Sequence, residues 1–327
     1  MTRTPLRISI GGGGTDLPSF YRENGGGFVI SAAINKYVYI TVNRSFLPGY
    51  FLKYSETEHA DTCEGIRHPL MREAIRMHHA PSPLEIVSLA DVPAGTGLGS
   101  SGTFLVGLLH ALYAWQRMPV TAEVLAREAV EIEMNRLGEP VGKQDQYIAA
   151  YGGLLCQEYL SDGTVNVTPL HMSEESLHEL RDSLMLFFVG ETRSASCLLG
   201  EQKRLSEVRD PAMIDSLHFA RMLGHEIRET LEGGQISAFG RLMHEHWMRK
   251  RNRCRSMSTT RVDSLYDLAR SEGGASGGKL VGAGGSGFLL LHTQDRRRLR
   301  DTMLRAGVSE MDFSFDFDGS VVLLRNA

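Results

Sequence analysis

The sequence predicts an α+β fold in two domains, on three observations. A chain of 327 residues is longer than one small core organises. Strand-like and helical stretches mix without the βαβ rhythm of a doubly wound sheet. The pattern also changes from about Glu174, so residues 1–180 and 181–327 are read as separate domains.

The elements follow in order. Leu6–Ile10 is apolar and β-branched and runs into Gly11–Gly14, a strand and then a loop. Val29–Val42 holds two strand-like stretches, and Leu84–Leu89 is another, ending at Asp91–Gly99. Helical periodicity takes over in Phe104–Gln116 and in Thr121–Leu137, with Thr121 as N-cap. GLLCQEYL and TVNVTPL, on either side of Ser161–Gly163, form a hairpin. Beyond Glu174, helices at Ser176–Asp182, Ile214–Leu231 and Ile236–Arg249 alternate with strands at Leu184–Val189 and Phe288–His292. Met311–Phe317 sets Phe313, Phe315 and Phe317 against Ser314, Asp316 and Asp318, the pattern of a half-buried strand closed by an Asp318–Gly319 turn.

Composition excludes several classes. Apolar residues are 42% and charged residues 23%, with a net charge of −4, the balance of a soluble globular protein without a basic field for nucleic acid or an acidic membrane. The apolar runs are too short for a membrane span, and TRTPLRISI lacks the apolar core of a signal peptide. Cys63, Cys156, Cys197 and Cys254 are dispersed with no CxxC pair, which reads as reduced thiols in a cytoplasm. His244 and His246 flank Glu245, but residues two apart on a helix do not share a face, so they do not read as a metal site. The oligomeric state is not set by the sequence, and a homodimer is compatible with it.

Three glycine-rich loops carry the chemistry. Pro93–Gly102, PAGTGLGSSG, lies between a strand and a helix. Its glycines admit close backbone approach, and the helix start offers free N–H groups beside the hydroxyls of Ser100 and Ser101. A polyphosphate is the natural occupant. Gly97, Gly99 and Gly102 also satisfy a dinucleotide fingerprint, but Glu123, near the required acidic spacing, starts a helix instead of ending a strand. No lysine follows the glycines, which excludes a Walker A loop. The second loop, Lys279–Phe288, precedes a strand, so it reads as a tight backbone wall against a ligand or another loop. The third, Gly11–Asp16, ends in Thr15 and Asp16, a pair suited either to sugar hydroxyls or to capping a turn.

Two carboxylates stand out. Ala126, Val130, Glu133 and Leu137 share a helical stripe, and a carboxylate on an apolar stripe must be paired or bound to metal. Gly138, Pro140 and Gly142 then form a rigid loop delivering Asp145 next to Lys143. Asp145 reads equally as a catalytic base or as a turn cap.

Together these segments resemble the GHMP kinases, named for galactokinase, homoserine kinase, mevalonate kinase and phosphomevalonate kinase. The matching motifs are Arg3–Arg7 with the glycines after it, Pro93–Ser101 and Gly282–Gly287. Glu133, Gly138, Pro140, Gly142 and Asp145 keep the spacing of galactokinases. RTPLRIS, GEPVGKQDQY, TRSAS at Thr192–Ser196 and GGKLVGAGG bring the chain nearest to the branch acting on heptose 7-phosphate. It departs at Gly102–Thr103, where serine and alanine are common, and at Ser286, which replaces a glycine.

The resemblance implies an N-terminal ATP-loop domain, a ferredoxin-like C-terminal domain and an active site between them. It implies ATP and Mg²⁺, with Pro93, Ala94, Gly95, Thr96, Gly97, Leu98, Gly99, Ser100 and Ser101 around the phosphates. Ser101 and Glu133 would hold the metal. Asp145 would take or orient the acceptor's proton, and Arg7 would stabilise charge on the transferring phosphoryl. Thr15, Asp16, Gly284 and Gly285 would meet the sugar. Arg193 would meet its distal phosphate, although it reads almost as well as a solvated arginine. Lys250 and Arg251 are rival cations in a basic run, Arg249–Arg255, that also reads as a solvated face. The implied acceptor is the anomeric hydroxyl of a sugar phosphate. Octose phosphates and fucose are alternatives, and a non-catalytic sensor or a dinucleotide oxidoreductase is the reading from another class.

Overall fold

A computed structural model of the chain describes residues 1–190, 195–253, 257–282, 284–285 and 287–324, with the backbone alone for 195–199. Strand β1 (Thr2–Gly11), helix α1 (Pro18–Tyr21) and strand β2 (Gly27–Asn43) come first, followed by β3 (Tyr50–Lys53), β4 (Thr57–Ala60), α2 (Pro69–Met77) and β5 (Leu84–Ala90). Helices α3 (Ser100–Trp115), α4 (Ala122–Val130) and α5 (Gln144–Tyr151) lead to the hairpin β6 (Leu154–Tyr159) and β7 (Val165–Pro169). The second half runs α6 (Glu174–Ser183), β8 (Leu184–Phe188), α7 (Ala195–Glu207), α8 (Pro211–Glu232) and α9 (Ile236–Lys250). It continues through α10 (Thr260–Ser271), β9 (Ala275–Leu280), β10 (Phe288–Thr293), α11 (Arg296–Arg305), β11 (Glu310–Met311) and β12 (Val321–Val322).

The first domain is organised by β2, which pairs with β6 through Gly27–Ala32, with β5 through Val38–Asn43, and with β1 along its other edge. The two expected strands are thus one of 17 residues. Continuity survives Asn35 and Lys36 because the β1 register slips between Pro5 and Leu6, leaving those two residues as a bulge. Helix α3 lies against this sheet, apolar on all sides. Gly107 allows the close approach, since a Cβ there would come within 2.8 Å of Thr4 Oγ1. Thr121 caps α4 as expected, accepting from Val124 N at 3.3 Å.

The second sheet has the order β11-β8-β10-β9, antiparallel throughout. This is the ferredoxin-like order that the resemblance implied, with four helices, α7 to α10, in the crossover from β8 to β9. Trp247 and Tyr266 are fully buried beneath it with Phe187 and Leu289.

The final alternating segment is not the strand expected. Phe313 and Phe315 are buried, but Phe317 is 60% exposed, and only Phe315 bridges to Ile34. The cause is Asp316, whose carboxylate turns inward to accept from Gly319 N (2.9 Å), Asp318 N (3.1 Å) and Tyr37 Oη (3.0 Å). The chain then returns as β12 to pair with β1, so its last described strand belongs to the first sheet. Among the described residues no helix is long and apolar enough to cross a membrane.

The two glycine loops join the domains by backbone contact. A Cβ on Gly282, whose φ is +77°, would lie 2.5 Å from Gly97 O, and one on Gly97 would lie 2.7 Å from Val281 O. Gly282→Ala combines left-handed strain with this clash. It should lower unfolding stability by roughly 2 kcal/mol in urea titration. A midpoint equal to that of the parent would show that the loops separate freely.

Candidate active site

Between the domains lies a cavity of about 940 Å³. One wall is the loop entering α3. Pro93, Ala94, Gly95, Gly97, Gly99, Ser100 and Ser101 face the cavity, whereas Thr96 and Leu98 are buried away from it. Thr96 Oγ1 instead donates to Pro93 O at 3.0 Å and holds the turn closed. Gly99 is the N-cap of α3 in the left-handed region (φ +79°), a conformation that glycine takes without strain. Ser100 Oγ is buried without a hydrogen-bond partner at that helix start. An orphan hydroxyl beside free helix N–H groups is the donor set a phosphate satisfies.

Arg7 ties the site together. Its Nε donates to Asp145 Oδ1 at 2.7 Å, its Nη2 to Asp145 Oδ2 at 2.9 Å, and its Nη1 to Gly97 O. Its backbone N–H donates to Leu98 O at 3.1 Å. Asp145 sits in the first turn of α5 and can approach α3 because residue 102 is glycine. A Cβ on Gly102 would stand 2.8 Å from Asp145 Cβ. Lys143, adjacent in sequence, points elsewhere, to Gly163 O and over the Tyr21 ring.

Asp16 lines the cavity, is 2% exposed, and accepts from Gln144 N at 3.2 Å. Burial, and after it the Asp145 carboxylate, push its pKa up to about 6. Thr15 does not join it. Thr15 is fully buried, its Oγ1 lying 2.8 Å from both Gly12 O and Phe28 O, which share its one proton, and accepting from Phe28 N, so its hydroxyl holds the loop instead of a sugar.

Glu133 is 2% exposed, as its apolar stripe suggested, but the stripe itself is not helical in the expected way. Glu131–Arg136 is a π-helix, the wide turn that often marks functional sites, and it re-aims Glu133 toward α3 and α5. Gln146 Nε2 donates to Glu133 at 2.6 Å, and Ser101 hydrogen-bonds it as well. Burial pushes the Glu133 pKa up to about 7. Glu133 is not on the cavity surface and meets it through Ser101.

Gly284 and Gly285 are not on the cavity surface either. Gly285 N donates to Met257 O at 2.9 Å and Gly284 packs on Met257, so within that loop it is Gly282 that faces the cavity. Arg193 lies outside the described residues. The basic run divides: Lys250, 6% exposed, and Arg253, 9% exposed, line the cavity, whereas Arg249 is exposed and Arg251 turns to Asp263 at 3.7 Å, and Arg255 lies outside the described residues. Sequence reasoning left Lys279 and His246 without a role, and both line the cavity. It also missed an apolar side formed by Val38, Tyr54, His68, Leu70, Leu89 and Phe104, where His68 meets Tyr54 edge-on at 4.6 Å.

Comparison with known proteins identifies the family. The GHMP kinase N-terminal domain matches residues 67–153 and the GHMP kinase C-terminal domain residues 227–309, together just over half of the chain. The chain belongs to the GHMP kinases and is an ATP-dependent phosphotransferase acting on a sugar. It is 27% identical to D-glycero-alpha-D-manno-heptose 7-phosphate kinase of Campylobacter jejuni, over 97% of each chain. It superposes on a D-glycero-D-manno-heptose 1-phosphate kinase from Bacteroides thetaiotaomicron with a TM-score of 0.80 and 26% identity, covering 98% of this chain and 97% of that one. It is also 25% identical to the galactokinase of Pyrococcus furiosus, over 93% of this chain and 92% of that one.

Asp16 yields a stability test. Its folded pKa of about 6 lies above the ordinary 3.8, so the fold favours the protonated form. That contribution is full below about pH 4 and is lost as pH rises through 6. Asp16→Asn should therefore exceed the parent in stability by about 2–3 kcal/mol at pH 8 and by less at pH 5, while sugar turnover falls. A stability difference that does not change with pH would show that Asp16 is not a buried charge.

Proposed function

We propose that the protein transfers the γ-phosphoryl of ATP, with Mg²⁺, to the anomeric hydroxyl of a long-chain sugar phosphate. The favoured acceptor is D-glycero-D-manno-heptose 7-phosphate, giving the 1,7-bisphosphate for nucleotide-sugar synthesis in a cytoplasm. The observation that carries this reading is the similarity to a heptose 7-phosphate kinase from end to end, with Arg7, Asp145, Asp16 and the α3 loop assembled on one cavity.

The acceptor oxygen forms the new P–O bond while the bond to the ADP oxygen breaks, and the departing hydroxyl proton is received or steered by Asp145. Both Asp145 oxygens are held by Arg7, so the carboxylate is oriented before substrate arrives. Ser100 and the first N–H groups of α3 receive the nucleotide phosphates. The base lies on the apolar side with Tyr54, His68 and Phe104, where burial keeps His68 neutral by lowering its pKa. Asp16 meets a sugar hydroxyl. Among the described residues no cluster of three or more His, Cys, Asp or Glu could cage a metal. A Mg²⁺ ion bound mainly by phosphate oxygens needs no cage, and the buried Glu133 with Ser101 fits such a role. The ion would neutralise charge on the phosphates.

A substrate panel tests the reading, with heptose 7-phosphate, an octose 8-phosphate, fucose and unphosphorylated heptose compared by kcat/KM. Preference for fucose would replace the acceptor assignment, in keeping with 29% identity over 68% of this chain to a bifunctional fucokinase/GDP-fucose pyrophosphorylase of Arabidopsis thaliana.

Two variants test the roles. Asp145→Asn keeps the shape and removes the charge. It should cut kcat by about 10²–10⁴-fold with ATP affinity nearly preserved. A loss within threefold would reduce Asp145 to a cap of α5. Glu133→Gln should lower turnover and raise the Mg²⁺ concentration needed for half-maximal rate. Its metal-free melting temperature at pH 8 should not fall, because the charge removed is one that burial disfavours. An unchanged Mg²⁺ requirement would remove Glu133 from the metal site.

A further inference from the structure

The C-terminal domain presents a second polar group to the cavity that the transfer chemistry does not use. His246 and Lys250 stand four residues apart on α9 and so share a face. Arg253 follows the end of that helix, and Lys279 lies on β9. All four line the cavity, with exposures of 1%, 6%, 9% and 1% in that order.

Four of the contacts these cations make are to uncharged oxygens. Lys250 Nζ donates to Leu280 O (3.1 Å) and Gly282 O (2.6 Å), and Arg253 donates to Ser216 Oγ (3.2 Å) and Gly13 O (3.3 Å). Neither ring nitrogen of His246 has a hydrogen-bond partner, and among the described residues no carboxylate forms an ion pair with Lys279. Burial first, and then Lys250, Arg7 and Arg253, hold the Lys279 pKa well below its usual value. Burial, with Lys279, Lys250 and Arg253, does the same to His246. A buried lysine among like charges is costly until an anion arrives.

The position of the group selects the anion. Arg253 grips the carbonyl of Gly13 and abuts Gly14, where a Cβ would come within 2.7 Å of its Nη1. That loop leads to Asp16, which in turn binds the start of α5 beside Asp145. The cluster is thus tied to the acceptor side, whereas Ser100 and α3 provide for the nucleotide.

We propose that His246, Lys250, Arg253 and Lys279 form a second anion pocket that receives the phosphate already carried by the acceptor sugar, and that this pocket makes the enzyme prefer phosphorylated over free sugars. The assignment rests on the reading of the acceptor as a sugar phosphate.

The test uses the full chain with heptose 7-phosphate and with the free heptose, for the parent, Lys279→Met and Arg253→Gln. In each variant the ratio of kcat/KM for the phosphorylated over the free sugar should fall roughly 10- to 100-fold, the scale of one charge-assisted hydrogen bond, while the KM for ATP stays within about threefold. Inorganic phosphate should raise the parent's melting temperature and raise that of Lys279→Met much less, a binding readout independent of turnover. Should Lys279→Met fail to fold, Arg253→Gln and Lys250→Gln carry the same comparison. Equal losses on both sugars, or a loss confined to the KM for ATP, overturns the pocket. A parent that prefers the phosphorylated sugar and variants that keep the preference overturn the pocket but leave the acceptor reading standing. A parent with no preference overturns both.

Discussion

The arrangement hangs on one guanidinium. Arg7 belongs to the first strand, yet its side chain and backbone reach two further elements, the carboxylate at the start of α5 and the carbonyls of Gly97 and Leu98 in the phosphate loop. A bidentate guanidinium–carboxylate pair fixes angle as well as distance, which a lysine at the same place could not do. The α3 loop, the Asp145 carboxylate and the central sheet therefore keep one mutual geometry before any ligand binds. Gly99 and Gly102 make this geometry attainable, since a side chain at either would press on Arg7 or Asp145.

Around that node the site holds charges that water would otherwise solvate. Two carboxylates, Asp16 and Glu133, have pKa values pushed up by burial, and one lysine has its value pushed down. Each stays closer to neutral without a ligand than it would be with a complementary one. On the proposed function, sugar hydroxyls, a divalent cation and phosphate oxygens are the groups that would restore their preferred states. A cleft of this kind is less stable empty than filled, the usual trade between stability and activity.

How much of this was legible varied with the kind of signal. The α3 loop was legible because four glycines and two serines in ten residues have few other uses between a strand and a helix. Its inner detail was not, since nothing in the letters says that Thr96 closes the turn while Ser100 faces the cavity. The burial of Glu133 followed from apolar neighbours three and four residues away, but the π-helix did not, because a widened turn leaves no compositional mark. Thr15 was misread for a related reason: a hydroxyl after glycines suits a sugar and a backbone carbonyl equally well. The cationic wall was the least legible part. Lys250, Arg253 and Lys279 meet only through the packing of α9 on β9, and a run of arginines and lysines looks the same whether it is buried or wet.

The contact of Gly97 with Gly282 bears on how such an enzyme can be recombined. Neither loop has room for a methyl group against the other, so the fit is one of bare backbone on bare backbone. Side-chain interfaces can be repaired by trading a large residue for a small one across the contact, but no residue is smaller than glycine. A chimera that takes its first half from one relative and its second from another would therefore have to inherit both loops with their left-handed turns in register. The two halves travel as a matched lock.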